Sequence, residues 1–129
     1  MSPVDPRYSE SVRALFTELA GAGDLAPGAG ATVWGEAAAL DRGAWVQFAA
    51  RVEGGRFVDC RFRAFGCPHT LAAASLVACR LRGAPLDLAS AISASGLALE
   101  LEAPAEKMGR LLVVEDALRA LLAEPRRVQ

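Results

Sequence analysis

The chain has 129 residues, is 53% apolar and 22% charged, and carries 14 Lys+Arg against 15 Asp+Glu for a formal net charge of −1. That is one domain's worth of chain, residues 1–129, apolar enough to bury one core without disulfides or a structural metal, and globular rather than disordered. The balanced charge gives no electrostatic reason to expect nucleic acid or an anionic membrane surface, and no stretch reaches the roughly 18 apolar residues of a membrane span.

In chain order, Tyr8, Val12, Leu15, Phe16 and Leu19 fall on one face at helical spacing, with Asp5-Pro6 as cap and first turn. This helix is expected to end near Gly21 and Gly23, before a small-residue loop from Ala26 to Ala31. A weak strand is expected from Thr32 to Leu40, turning at Asp41-Arg42-Gly43. Val46, Phe48, Ala50 and Val52 then alternate with Trp45, Gln47, Ala49 and Arg51. Val58, Cys60, Phe62 and Ala64 alternate with Asp59, Arg61 and Arg63. Gly54-Gly55 between these runs is a strong hairpin signal, because a tight primed turn needs positive φ. From Pro68 to Leu81 the period becomes helical and apolar nearly all round, the mark of a buried helix. Gly83 and Pro85 stop it. A short helix is expected within Leu86 to Ser95 and a last one from about Glu106 to Ala123. Met108, Leu111, Leu112, Leu118, Leu121 and Leu122 form the core stripe of that last helix, and Glu115 and Arg119 are expected to pair on its wet side. The class is α+β, a three-stranded antiparallel sheet with four to five helices packed on it.

Met1 to Arg7 carries two prolines and an aspartate rather than an apolar leader, so the expected compartment is the cytoplasm and the three cysteines are expected as reduced thiols. The informative segment is Arg63-Ala64-Phe65-Gly66-Cys67-Pro68-His69-Thr70. A strand ends, a glycine allows the turn, and Pro68 fits the first helical position, which places Cys67 at the N-cap. Free backbone N–H groups and the helix dipole favour negative charge there, and thiolate is the form that binds metal or attacks sulfur. His69, the single histidine, lies two residues on. Two candidate ligands do not complete a four-coordinate site, so an inert thiol and a solvated or capping imidazole stand beside the functional reading. Cys60 and Cys79 read as small core hydrophobes.

The order of segments resembles the NifU/IscU-type iron–sulfur cluster scaffold family. Tyr8-Ser9 is similar to that family's start. The hairpin Gly55-Arg56-Phe57-Val58-Asp59, leading through Phe62-Arg63-Ala64-Phe65-Gly66-Cys67, resembles the strand that leads into the family's central cluster cysteine. Thr70-Leu71-Ala72-Ala73-Ala74-Ser75 resembles the small-residue helix that follows, and Val114-Glu115-Asp116-Ala117-Leu118 the final-helix motif. The resemblance implies a NifU/IscU-like fold; a standalone enzyme is not expected, since no serine triad, paired-carboxylate site or phosphate loop is apparent in the sequence. The resemblance implies a scaffold or accessory of iron–sulfur cluster assembly, receiving sulfur from a cysteine desulfurase and passing clusters to acceptor proteins.

The family holds a [2Fe–2S] cluster with three cysteines, helped by an aspartate and sometimes a histidine. Cys67 matches the central cysteine. The Cys-Gly-Asp turn matches Trp34-Gly35-Glu36, where tryptophan replaces the cysteine and glutamate the aspartate. The final His-Cys pair falls on Gly109-Arg110 after Lys107. Of the family's chaperone-recognition segment, only Pro104 and Lys107 match. The implied ligands are therefore Cys67 and His69, with Glu36 as a further cofactor-binding group. The implied cargo is iron or a labile [2Fe–2S] cluster, with zinc as a substitute. Clusters need about four ligands for two irons, and arginine cannot serve as one, so a homodimer sharing a cluster is one solution. Two other readings stay open: a metal-free module that docks on assembly partners, and a persulfide carrier using Cys67.

Overall fold

The computed structural model describes residues 19–123 and 127–128. The helix expected from Tyr8 lies outside them except for Leu19, whose φ of +46° is not helical. Three long strands form an antiparallel meander: β1 (Ala31–Ala39), β2 (Ala44–Glu53) and β3 (Arg56–Phe65). A two-residue β4 (Arg127–Val128) pairs with Ala31 and Thr32, so the described sheet has the order β3-β2-β1-β4. A 3-10 turn, Leu40–Arg42, joins β1 to β2 and ends on Gly43 at φ +63°. Gly54 and Gly55, at φ +61° and +75°, make the two-residue turn between β2 and β3. Positive φ at both central positions matches the right-handed twist of the paired strands.

One phase of the alternation departs from expectation. Val58 is exposed at 44%, while Phe57 is buried. A register shift between Arg51 and Val52 pairs Arg51 with Asp59 but Val52 with Phe57, leaving Val58 as the extra residue of a bulge. An inserted residue flips the side chains on one side of it to the other face.

The helices are α1 (Pro68–Leu81), α2 (Leu86–Ala91), α3 (Ala94–Leu101) and α4 (Met108–Ala123), the last entered through a 3-10 turn at Ala105–Lys107. The single short helix expected after Pro85 is thus two, broken at Ile92-Ser93, where the Ser93 side chain accepts a hydrogen bond from Gly96 N and caps α3. α4 packs across β1 and β2, and α1 lies beside it along β3. Val46, Phe48 and Ala50 of β2 meet Ala74, Val77 and Ala78 of α1 and Leu111, Val114 and Leu118 of α4 in one core, with every one of these side chains fully buried. Alanines on α1 let it approach the sheet closely, which is why a helix so rich in small residues is buried nearly all round.

The Glu115–Arg119 pair expected on the wet side of α4 is not formed as read. Glu115 Oε1 instead accepts from Ala94 N at 2.6 Å, at the start of α3. Arg119 donates to Ala89 O at 3.2 Å and Ile92 O at 2.8 Å, at the end of α2. Both side chains close the break between the short helices.

The free edge of β3 is covered by two segments. Gly21 and Gly23 exchange hydrogen bonds with Phe62, and Gly83 and Ala84 with Phe57. Covered edges do not recruit foreign strands.

Candidate cysteine site at the strand-to-helix corner

β3 ends at Phe65 and α1 begins at Pro68, so only Gly66 and Cys67 turn the chain. Gly66 adopts φ +149°, and a Cβ there would lie 3.0 Å from the Cβ and Oγ1 of Thr70, so both the backbone angle and the space call for glycine. Cys67 occupies the N-cap with extended backbone, φ −75° and ψ 168°, and Pro68 stands at the first helical position. The Cys67 carbonyl accepts the first helical hydrogen bond, from Leu71 N at 3.2 Å. The thiol does not take the capping role: it makes no side-chain cap hydrogen bond. Its sulfur lies 3.8 Å from Thr70 Oγ1 and is half-buried rather than sealed in the core.

His69, on the first turn of α1, is buried at 3% exposure, not solvated. Burial pushes its imidazole below the ordinary histidine range of 6.5, and the cations of Lys107 and Arg110 push it further the same way. A lowered value keeps the ring neutral at pH 7, the form that has a lone pair for a metal or a proton. The same fact locates the start of α4 beside the start of α1. Arg110 has its Nε buried without a hydrogen-bond partner. Arg42, from the turn between β1 and β2, reaches this region as well: a Cβ on Gly109 would lie 2.9 Å from its guanidinium carbon. Three cations, Arg42, Lys107 and Arg110, therefore gather where α4 begins.

Glu36 lies elsewhere. Trp34-Gly35-Glu36 is not a turn but the middle of β1, each residue paired with β2. Glu36 faces away from the helices and accepts from Trp45 Nε1 at 3.4 Å and Gln47 Nε2 at 3.3 Å. The glycine turn between these strands is Arg42-Gly43 instead. The structure thus brings Cys67 and His69 to one corner and leaves Glu36 out on the sheet face. Among the described residues, no group of three or more His, Cys, Asp or Glu side chains is placed to hold a metal ion.

The other two cysteines differ. Cys60 is fully buried on the inner face of β3, as expected of a core hydrophobe, and burial pushes its thiol up to about 12. Cys79 is half-buried and has polar neighbours, Ala20 O at 3.6 Å and Arg82 Nη2 at 3.7 Å, which a pure core reading does not include. Sequence reasoning also missed Arg42. The turn that carries it was legible, but its approach to Gly109 depends on how α4 crosses β1.

A meander of three long strands with helices on one face, and a cysteine at the N-cap position of the first helix after it, is a two-layer α+β fold. The sequence matches the NifU-like N terminal domain family over residues 7–127, and the chain belongs to that family. It is similar to the iron–sulfur cluster assembly scaffold protein IscU of Escherichia coli K12, 39% identical over 66 residues that cover 51% of this chain and 52% of the relative. It is also similar to a Drosophila melanogaster protein named iron–sulfur cluster assembly enzyme IscU, 35% identical over 72 residues, 56% of this chain and 47% of the relative. The chain therefore spans about half the length of these curated relatives.

Among solved structures, it resembles one described as an iron–sulfur cluster assembly scaffold for the SUF system of Fervidobacterium islandicum AW-1. The TM-score is 0.68 and the identity 16%, covering 89% of this chain and 96% of that one. A NifU-like N-terminal protein of Brucella abortus gives a TM-score of 0.55 at 20% identity, covering 86% of this chain and 77% of that one. At these identities the likeness establishes the fold. Among the described residues, no helix is long and apolar enough to cross a membrane.

Proposed function

We propose that this chain serves iron–sulfur cluster assembly as a scaffold-type accessory, with Cys67 as the thiol that meets iron or a labile [2Fe–2S] cluster and His69, two residues on, as a second donor. The observation that carries the reading is the half-buried cysteine at the β3–α1 corner of a chain belonging to the NifU-like family. The names of its relatives, cluster assembly scaffolds, point the same way. Sulfur then comes from a cysteine desulfurase and the cargo goes to acceptor proteins, in the cytoplasm, where the thiol stays reduced.

The donor set limits how the cargo is held. A [2Fe–2S] cluster takes about four ligands, rich in thiolate. The corner offers one thiol and one neutral imidazole per chain, and the Lys107 and Arg110 cations that act on His69 disfavour ferrous iron there. The cargo is therefore held weakly, or completed by the same corner of a second copy, and zinc competes for the same Cys and His donors. Glu36, fixed to Trp45 and Gln47, would have to leave both to take part.

The test is anaerobic reconstitution with ferrous iron and sulfide, reading visible absorption and the iron and sulfide bound per chain. Substoichiometric binding that disappears in Cys67→Ser and weakens in His69→Asn is expected. Wild-type protein that binds neither iron nor sulfide overturns the reading.

A second reading is favoured by the cations themselves. Arg42, Lys107 and Arg110 suit an anionic sulfur species better than a metal cation, so Cys67 as a persulfide carrier fits that charge. Mass spectrometry after exposure to a cysteine desulfurase and cysteine separates the two, through a gain of one sulfur atom confined to Cys67.

A further inference from the structure

The outer face of the sheet, away from the helices, holds a feature that the cysteine corner does not use. We propose that the cavity there binds a phosphomonoester with a flat aromatic body, of the chemical class of a nucleoside monophosphate.

Cross-strand register explains why a cavity forms. Thr32, Arg51 and Asp59 line up across β1, β2 and β3; Trp34, Ala49 and Arg61 make the next row; Glu36, Gln47 and Arg63 make the third. Ala49 is the smallest side chain of these rows and stands at their centre. An indole on one side and a guanidinium on the other therefore flank a dip. Residues 23–28 leave the edge of β3 and run across this face toward β1, bordering a half-open cavity of about 640 Å³. Small-molecule sites run from roughly 300 to 1,000 Å³, whereas a bare inorganic anion needs far less.

The charge of the lining selects the ligand. It holds three arginines, Arg51, Arg61 and Arg63, against one carboxylate, Asp24. Arg63 is neutralised by its ion pair with Asp24. Arg51 donates from Nη1 to Ala26 O at 2.6 Å, but its Nε is buried with no hydrogen-bond partner. The Nε of Arg61 also makes no hydrogen bond, and its ion-pair contact to Asp59 Oδ2 is a loose 3.5 Å. Among the described residues, the Nε of each guanidinium has no hydrogen-bond acceptor, and both arginines line the cavity; a guanidinium fork is suited to phosphate oxygens. Trp34 forms the opposite wall, a flat apolar surface for a ring.

Gly28 adds an independent handle. A Cβ there would lie 2.6 Å from the Cζ of Arg51, so the loop passes directly over that guanidinium. Gly28→Ala displaces the flexible end of one side chain and leaves the fold alone.

The experiment is isothermal titration of the full chain with adenosine monophosphate, inorganic phosphate and adenosine, at low and at high salt. Binding of the monophosphate, weaker binding of phosphate, none of adenosine, and loss of affinity with salt are expected. Arg51→Gln, Arg61→Gln and Gly28→Ala should each weaken the monophosphate about tenfold or more, with unchanged thermal midpoints for Gly28→Ala. Arg80→Gln, on α1 outside the cavity, should leave the affinity as it is. Absence of monophosphate binding overturns the proposal, as does adenosine binding as tightly as the monophosphate, or phosphate alone matching it. An affinity untouched by the Arg51, Arg61 and Gly28 variants overturns the assignment to this cavity.

Discussion

Gly35 of β1 lies directly beneath Leu121 of α4. A Cβ on Gly35 would come within 2.5 Å of the Leu121 Cα and 2.6 Å of the Ala117 carbonyl oxygen, both of them backbone atoms that cannot rotate away. The glycine in Trp34-Gly35-Glu36 is thus a packing requirement, the point where the longest described helix presses on the sheet.

Gly35→Ala is therefore expected to cost more than about 3 kcal/mol, beyond the usual range for overpacking, because a backbone and not a side chain must move. Urea denaturation of the variant checks it. An alanine variant with wild-type stability would show that α4 does not rest on β1 at this point.

The clamp made by Glu115 and Arg119 gives a second expectation. Arg119 binds two carbonyls at the end of α2, and Glu115 binds the first amide of α3. Charged hydrogen bonds of this kind contribute about 1.5–3 kcal/mol, and removing the partner leaves helix-terminal groups unpaired. Arg119→Ala should destabilise the fold by about 2 kcal/mol and Glu115→Ala by somewhat less. Local hydrogen exchange at residues 89–97 should rise before global unfolding in both. Uniform exchange rates across the chain in these variants would refute a local clamp.

These two sites also mark what was legible beforehand. Alternation around Gly54-Gly55 fixes the β2–β3 hairpin, and the 3.6-residue period fixes α1 to its observed ends, because local rules govern both. The bulge at Val58 was not legible, since a one-residue slip leaves the pattern of apolar residues looking regular. The destination of Glu115 was not legible either: their spacing favours an i, i+4 pair with Arg119, and only the tertiary position of α2 and α3 offers better partners. At the cysteine corner, Gly66-Cys67-Pro68 specified the turn and the N-cap from local chemistry alone. The burial of His69 and the arrival of Arg42 at Gly109 depend on α4 crossing the sheet, which no local pattern records.

Thiol reactivity should separate the three cysteines. Cys60 is fully buried with its thiol pushed up to about 12, so it is neither reachable nor ionised near neutral pH. Cys67 and Cys79 are both half-buried. Iodoacetamide on the folded protein at pH 7.5 should modify Cys67 and Cys79 and spare Cys60, with Cys60 reacting only in denaturant. Peptide mass mapping reads the outcome. Early modification of Cys60 would mean that the inner face of β3 opens more readily than its packing allows.

The buried imidazole sets a pH dependence whose sign follows from its lowered value. An unfolded chain protonates His69 near 6.5, whereas the folded chain holds it neutral to lower pH. Between those two values the unfolded state binds more protons, so stability falls as pH drops through 6.5 and levels off once the folded ring also protonates. Chemical denaturation at pH 7.5, 6.5 and 5.5 should show that decline in the wild type and a flatter profile in His69→Gln. Two of the causes are Lys107 and Arg110, so Arg110→Gln should raise the imidazole's value and shrink the pH-dependent loss while leaving its direction unchanged. Nuclear magnetic resonance titration of the single histidine reads the value directly. A titration at or above 6.5 in the wild type would show that neither burial nor the α4 cations act on the ring.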